Sequence, residues 1–197
     1  MSVEDLANGS LVMTTSGALL VKWIARKRFS KNAPASWHPS VVPVHVSRFA
    51  IDDQTPQRDL YVTQDHCLLV DGVFIPVKYL VNGRSIALDD EAKMSDNIEY
   101  FSVELDTHEV IFAEGTAAET YRYDAHHQIV WDNLGDCHDL YGEHQVMSPF
   151  APICHYSGGR AEVRGLLRLA CSRLVDVRDP TQIAYDRIAG RATMIAA

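Results

Sequence analysis

Residues 59–83 read DLYVTQDHCLLVDGVFIPVKYLVNG. Two apolar, β-branched stretches, 67–70 and 73–77, flank Asp71-Gly72, a pair that supplies positive φ, so they form a hairpin. Ahead of that hairpin a strand over 60–63 runs into Thr63-Gln64-Asp65-His66, placing a hydroxyl and an imidazole together where one strand turns into the next. A threonine can hold an imidazole or a carbonyl by hydrogen bonding, and an imidazole can donate a proton to a leaving nitrogen near neutral pH. Such a pair suits acyl chemistry on a peptide bond. That chemistry also needs a nucleophile, usually a cysteine at the front of the domain. The chain opens Met1-Ser2-Val3-Glu4-Asp5 and has no cysteine before Cys67. Strand alternation points His66 and Cys67 to opposite faces, so Cys67 is expected to pack inward as a small apolar residue.

Working outward, similar stretches rich in Val, Ile, Leu, Tyr and Phe occur at 11–14, 19–28, 41–47, 84–88, 98–105 and 109–113. Asn8-Gly9, Ser16-Gly17 and Asn82-Gly83 punctuate them. Many short strands without intervening helical periods predict an all-β body of short, twisted antiparallel strands over residues 1–123. Ser2 is expected to cap a one-turn helix through Asn8, and 30–39 and 89–97 read as exposed loops. Residues 124–159 form a polar, His-rich connector packed on or beside the body, and 160–197 a C-terminal helical tail. Within the tail Val163, Leu166, Leu167, Ala170 and Leu174 make one amphipathic stripe. Asp179-Pro180 then offers an N-cap and first position for a second short helix ending near Gly190.

Composition bounds the function. The 197 residues carry 18 Lys plus Arg against 26 Asp plus Glu, a formal charge of −8, and 47% hydrophobic residues, enough for a core. The one basic cluster, 22–31, is interleaved with Trp23, Ile24 and Phe29 and reads as a solvated strand face, so no nucleic-acid partner is expected. No apolar run approaches the ~18 residues of a membrane span, and no signal-peptide pattern opens the chain, so a soluble protein with no membrane partner is expected. Its compartment is unknown from sequence.

The stretch 56–86, PQRDLYVTQDHCLLVDGVFIPVKYLVNGRSI, together with 99–121, EYFSVELDTHEVIFAEGTAAETY, resembles the Hint domain shared by hedgehog autoprocessing modules and inteins, and most of all its bacterial branch. The opening VEDLANGSLVMTTSG resembles the part of that branch that follows the nucleophile segment. The resemblance implies a horseshoe-shaped all-β fold in which an N-terminal cysteine attacks the carbonyl before it. This N-to-S acyl shift leaves a thioester that a thiol or water resolves. It assigns Thr63 and His66 to straining and protonating the scissile amide, His108 to assisting proton transfer, and Asp106 to orienting or tuning the thiol. It calls for no cofactor and no metal.

Two departures shape the expectation. The Cys and Gly-Thr strand-turn of the family are absent from the opening, so the chain as it stands is expected to be inactive alone, with an N-terminal flanking polypeptide as its partner in fuller relatives. The His-Asn pair that ends a splicing intein is also absent, and without an Asn to cyclise, splicing is excluded. The alternative is a non-catalytic Hint-like module kept for binding or structure. A metal-binding protein using Cys137-His138, His144 and Cys154-His155 is a third reading, although adjacent ligands encode no tight zinc knuckle. Read without the resemblance, Thr63 and His66 could simply satisfy strand-end backbone groups. Asp106 and His108, two apart, share one face if the segment is extended, whereas Asp106-Thr107-His108-Glu109 as a surface turn would separate them. A β body lacking one strand has an adhesive edge, expected to be covered by the tail, a loop or a second copy in a homodimer.

Overall fold

The computed structural model describes residues 1–31, 36–123, 130–142, 146–154 and 179–195, with Lys93 described by its backbone alone. The strands are β1 (Leu11–Thr14), β2 (Gly17–Leu20), β3 (Trp23–Ser30), β4 (Val44–Val46), β5 (Leu60–Val62), β6 (Cys67–Val70), β7 (Val73–Pro76), β8 (Ile86–Leu88), β9 (Asn97–Glu104), β10 (Val110–Ala113) and β11 (Thr116–Glu119). Among the described residues two α-helices, α1 (Leu134–Tyr141) and α2 (Pro180–Ile195), follow. The strands pair as three sheets, β2-β1-β10-β11-β6-β7, β3-β9 and β5-β4-β8, and every strand pair is antiparallel. The expected all-β class with a C-terminal helix holds.

Three hairpins, β1–β2, β6–β7 and β10–β11, give the long sheet its local order. Asp71 (φ 51°) and Gly72 (φ 79°) make the tight turn between β6 and β7. Glu114 (φ 50°) and Gly115 (φ 80°) repeat that geometry between β10 and β11. The left-handed Glu114 is held in place because Arg58 grips its carboxylate with two bonds of 2.8 and 2.6 Å and Gln57 N–H donates to its carbonyl at 2.7 Å.

β6 reads as a nearly continuous apolar run because both its faces are covered. Leu68 and Val70 point into the main core with Val44, Val46, Ile75 and Ile86, whereas Cys67 packs with Phe74 and Val110. Ala184 and Ile188 of α2 join the main core, and Ala192 one turn on is also buried. These three lie at i, i+4 and i+8, one stripe of the helix.

Several expected boundaries move, each for a tertiary reason. The run 19–28 is two strands, since the chain changes partner at Val21 and Lys22: Val21 N–H bonds Ser10 O at 2.7 Å and Lys22 N–H bonds Glu104 O at 2.9 Å. The start of 41–47 is a 3-10 turn, Pro39–Val41, whose His38 Nδ1 takes the Ser40 N–H. The N-terminal helix shrinks to a 3-10 turn, Val3–Asp5, with no side-chain cap from Ser2. α2 runs through Gly190 to Ile195, because burial of Ala192 outweighs the ~1 kcal/mol that an interior glycine costs. Asp179 does cap it, its carboxylate accepting from Thr181 N–H at 2.8 Å. The stripe from Val163 to Leu174 lies outside the described residues.

The register also identifies which strand edges are open. β3 offers the carbonyls of Ile24 and Arg26 and the N–H groups of Arg26 and Arg28 outward, to Asp132 and Asn133. Even-numbered β3 residues therefore face away from β9, and with Ala25 opposite Ser102 the odd-numbered residues of β9 face away from β3. Likewise Pro43 and Ser47 bond β8, which turns Val44 and Val46 toward β5 and leaves the Tyr61 backbone facing away from β4. Among the described residues Tyr61, Glu99 and Phe101 have no backbone partner on these outer edges. Among the described residues Asp132 and Asn133 cover β3, and none pairs with the outer edges of β5 and β9.

Candidate functional site

A cleft of about 800 Å³ opens between those two edges, lined by Tyr61, Thr63 and His66 on one side and Glu99, Phe101 and Val103 on the other. Cys67, Glu119 and Arg122 also border it, as does Val3 near the start of the chain.

The Thr63–His66 turn is held from three directions. His66 N–H closes it on Thr63 O at 3.2 Å. The residues after β7 clamp it from the far side, with Val77 N–H on His66 O and Lys78 N–H on Gln64 O, each at 2.9 Å. The Gln64 side chain anchors it to Pro39 O at 2.6 Å and Val42 O at 3.0 Å, and Lys78 pairs with Asp65. With its backbone and flanks bound in this way the turn is rigid, and it presents Thr63 and His66 to one space.

His108 sits apart from the cleft lining and is 3% exposed. It tilts over the Phe74 ring, centroids 5.2 Å apart, and its Nδ1 accepts the Phe150 N–H at 3.1 Å. The connector delivers Phe150, since residues 152–154 lie along β7, with Phe74 N–H on Pro152 O and Cys154 N–H on Phe74 O, both 2.8 Å. A neutral imidazole that accepts at Nδ1 carries its proton on Nε2. That Nε2 faces Glu119 Oε2 at 3.8 Å.

Asp106 is not part of this group. The chain bends at residues 106 and 107, so Asp106 is exposed while His108 is buried, and Asp106 acts electrostatically on Lys22. The turn reading of 106–109 is the one the backbone follows, and the shared face of an extended segment is not formed.

Glu119, absent from the residues singled out above, is what joins the parts. It lies opposite Cys67, because Ala118 pairs with Leu68, and its Oε1 accepts the Cys67 N–H at 2.8 Å. One carboxylate thus lies next to the His66–Cys67 corner and to His108. The one hint in the sequence was a glutamate closing the short strand after Glu114-Gly115.

Burial sets the protonation states. It pushes His66 below the ordinary imidazole value, and the Glu119 charge opposes that push. Burial, and after it the Arg122 guanidinium, lowers His108 to about 4. Burial and then Glu119 push the Cys67 thiol far above the usual range, and it is 4% exposed, so Cys67 is a packed thiol and not a poised nucleophile. Cys137, buried against Trp131, is pushed up to about 11. Among the described residues no group of three His, Cys, Asp or Glu side chains could hold a metal ion, and no helix is long and apolar enough to cross a membrane. His144 and His155 lie outside the described residues.

Antiparallel sheets around a cleft lined by Thr63, His66 and Glu119 define an all-β domain. The chain belongs to the Hint domain family, whose model matches residues 1–125. No curated protein and no solved structure matches it. The matched span contains Thr63, His66, His108 and Glu119 and ends ahead of Phe150.

Proposed function

We propose that this domain is the proton-handling part of a self-processing Hint module, acting on a polypeptide that lies in the cleft as an extended strand. The observation that carries the reading is the cleft itself: Thr63 and His66 open onto a space bounded by two strand edges with unused backbone groups. An extended chain there would find main-chain partners at Tyr61 on one side and Glu99 and Phe101 on the other. Val3 borders the same space, and the Met1 ammonium is close enough to Glu114 to help lower its carboxyl, so a segment joined ahead of Met1 would emerge beside the cleft.

In this reading a thiol on the lodged strand attacks the carbonyl before it. The C–S bond forms as the C–N bond breaks, and His66 takes up the thiol proton and delivers it to the leaving nitrogen while Thr63 holds the strained amide. The packed Cys67 does not replace that thiol. Asp106 has no role in proton transfer here, being exposed on the outer bend.

The test is a fusion that places a reporter and a Cys-bearing strand-turn ahead of Met1. Release on adding dithiothreitol is expected, slowed by ~10²-fold or more in His66→Ala. A folded fusion that releases no reporter would overturn the reading and leave the non-catalytic binding module. The open edges also fit a second copy of the chain, and sedimentation equilibrium showing a doubled mass, lost when the strand-turn is fused on, would favour that occupant.

A further inference from the structure

The cleft raises a problem that the Thr63–His66 pair does not solve. Burial opposes a charge on His66, yet a proton donor must hold one, if briefly, before handing it over. Something anionic must stand close by, fixed so that it does not swing out to water.

Glu119 meets both requirements. Its Oε1 is bound by the Cys67 N–H at 2.8 Å, one residue from His66, and its Oε2 lies 3.8 Å from His108 Nε2. His108 is in turn fixed by the Phe150 N–H on its Nδ1, which puts its proton on Nε2, an atom that has no hydrogen-bond partner among the described residues and lies 3.8 Å from that carboxylate. The backbone of β6 therefore fixes Glu119 beside the His66–Cys67 corner, with the buried imidazole of His108 next to it. We infer that Glu119 is a positioning residue of this site, whose carboxylate, held by Cys67 N–H and facing His108, is the counter-charge that lets His66 take up and release a proton within the cleft. Its use in cleavage rests on the self-processing reading, whereas the arrangement does not.

Other groups around His66 are accounted for. Asp65 is engaged by Lys78, Glu99 lies on the opposite strand, and Arg122, which also borders the cleft, acts on His108. Cys67 stays a neutral thiol, and burial raises Tyr61, Tyr100 and Tyr121, which keeps them neutral too. Of the carboxylates at the cleft, Glu119 is the one that registers on His66.

The experiment is an NMR titration of the folded chain with labelled histidine, comparing wild type with Glu119→Gln. Glutamine keeps the oxygen that accepts from Cys67, removes the charge and turns an NH2 toward His108 Nε2. The His66 midpoint is expected to fall by about one pH unit, a roughly tenfold loss of proton affinity. A purely structural glutamate would leave that midpoint unchanged, and a shift below about 0.3 units would overturn the inference. Where Glu119→Gln does not fold, Glu119→Asp keeps the charge and withdraws it by one methylene, and a His66 midpoint equal to wild type would overturn it as well. The reporter fusion separates the two claims. A shifted His66 with no release in any fusion ends the self-processing reading alone, while release with an unshifted His66 ends the role of Glu119 alone.

Discussion

His108 shows how little of a residue's chemistry its type decides. Buried beside Phe74 and held by Phe150 N–H, it is neutral at physiological pH with its proton on Nε2. Its folded value of about 4 lies below the ordinary 6.5, so the unfolded chain binds more protons between those limits. Stability from this group is therefore complete above about pH 6.5 and lost as pH falls toward 4, amounting to roughly 3 kcal/mol across the window. His66, also lowered by burial, acts in the same direction. His108→Asn, which offers an acceptor in place of Nδ1 and does not titrate, should flatten much of this slope in urea unfolding at pH 7.5 and 4.5; an unchanged slope would show that His108 is not its source. At this scale Thr63 and His66 line one cleft as their spacing suggests, His108 is buried outside its lining, and Asp106 is exposed on a bend of two residues that an alternation rule assuming extended backbone does not see.

At the scale of elements the informative strand is β11, Thr-Ala-Ala-Glu, which carries weak strand preference and no apolar side chain larger than alanine. Its conformation comes from its neighbours, for it is paired by β10 on one side and β6 on the other. Missing the strand and missing Glu119 were one omission, because only the pairing sets Glu119 opposite Cys67. The Glu114-Gly115 turn that begins β11 holds a non-glycine residue at φ 50°, where Asn is better tolerated. Glu114→Asn exchanges an exposed ion pair with Arg58 for relief of that backbone cost, and a gain of a few tenths to about 1 kcal/mol is expected in urea melts. The open edges make a sharper prediction. Hydrogen exchange should be fast at Tyr61, Glu99 and Phe101 and slow at Tyr100 and Ser102, whose N–H groups bond β3, and fusing the strand-turn ahead of Met1 should slow the first set selectively. Equal exchange at alternate positions of β9 would refute the assigned edge.

Across the whole molecule, the C-terminal helix is a structural member of the β domain. Ile188 is fully buried with Val44, Leu68 and Ile75, Arg187 grips Asp71 at the β6–β7 turn, and Arg191 reaches Phe49 O at 2.6 Å and also Asp53. Since β6 begins at the cleft corner, α2 supports the wall that holds His66. Ile188→Ala should cost ~2–4 kcal/mol, read from the urea midpoint, and Arg187→Ala well under 1 kcal/mol because its ion pair is half exposed. A loss below about 1 kcal/mol for Ile188→Ala would mean that the helix is not anchored in the core.

The sequence by itself determined the all-β class, most strand positions, the Asp71-Gly72 hairpin and the Thr63–His66 corner, because alternation, turn chemistry and spacing are local and act through neighbours a few residues away. Only the tertiary structure decided which edges stay open, that Asp106 leaves the site, that α2 continues through Gly190 and that Glu119 meets Cys67 and His108. Each of these turns on groups far apart in the chain, 52 residues for Cys67 and Glu119 and 42 for His108 and Phe150, and no local rule specifies a bond that sheet pairing alone brings within reach.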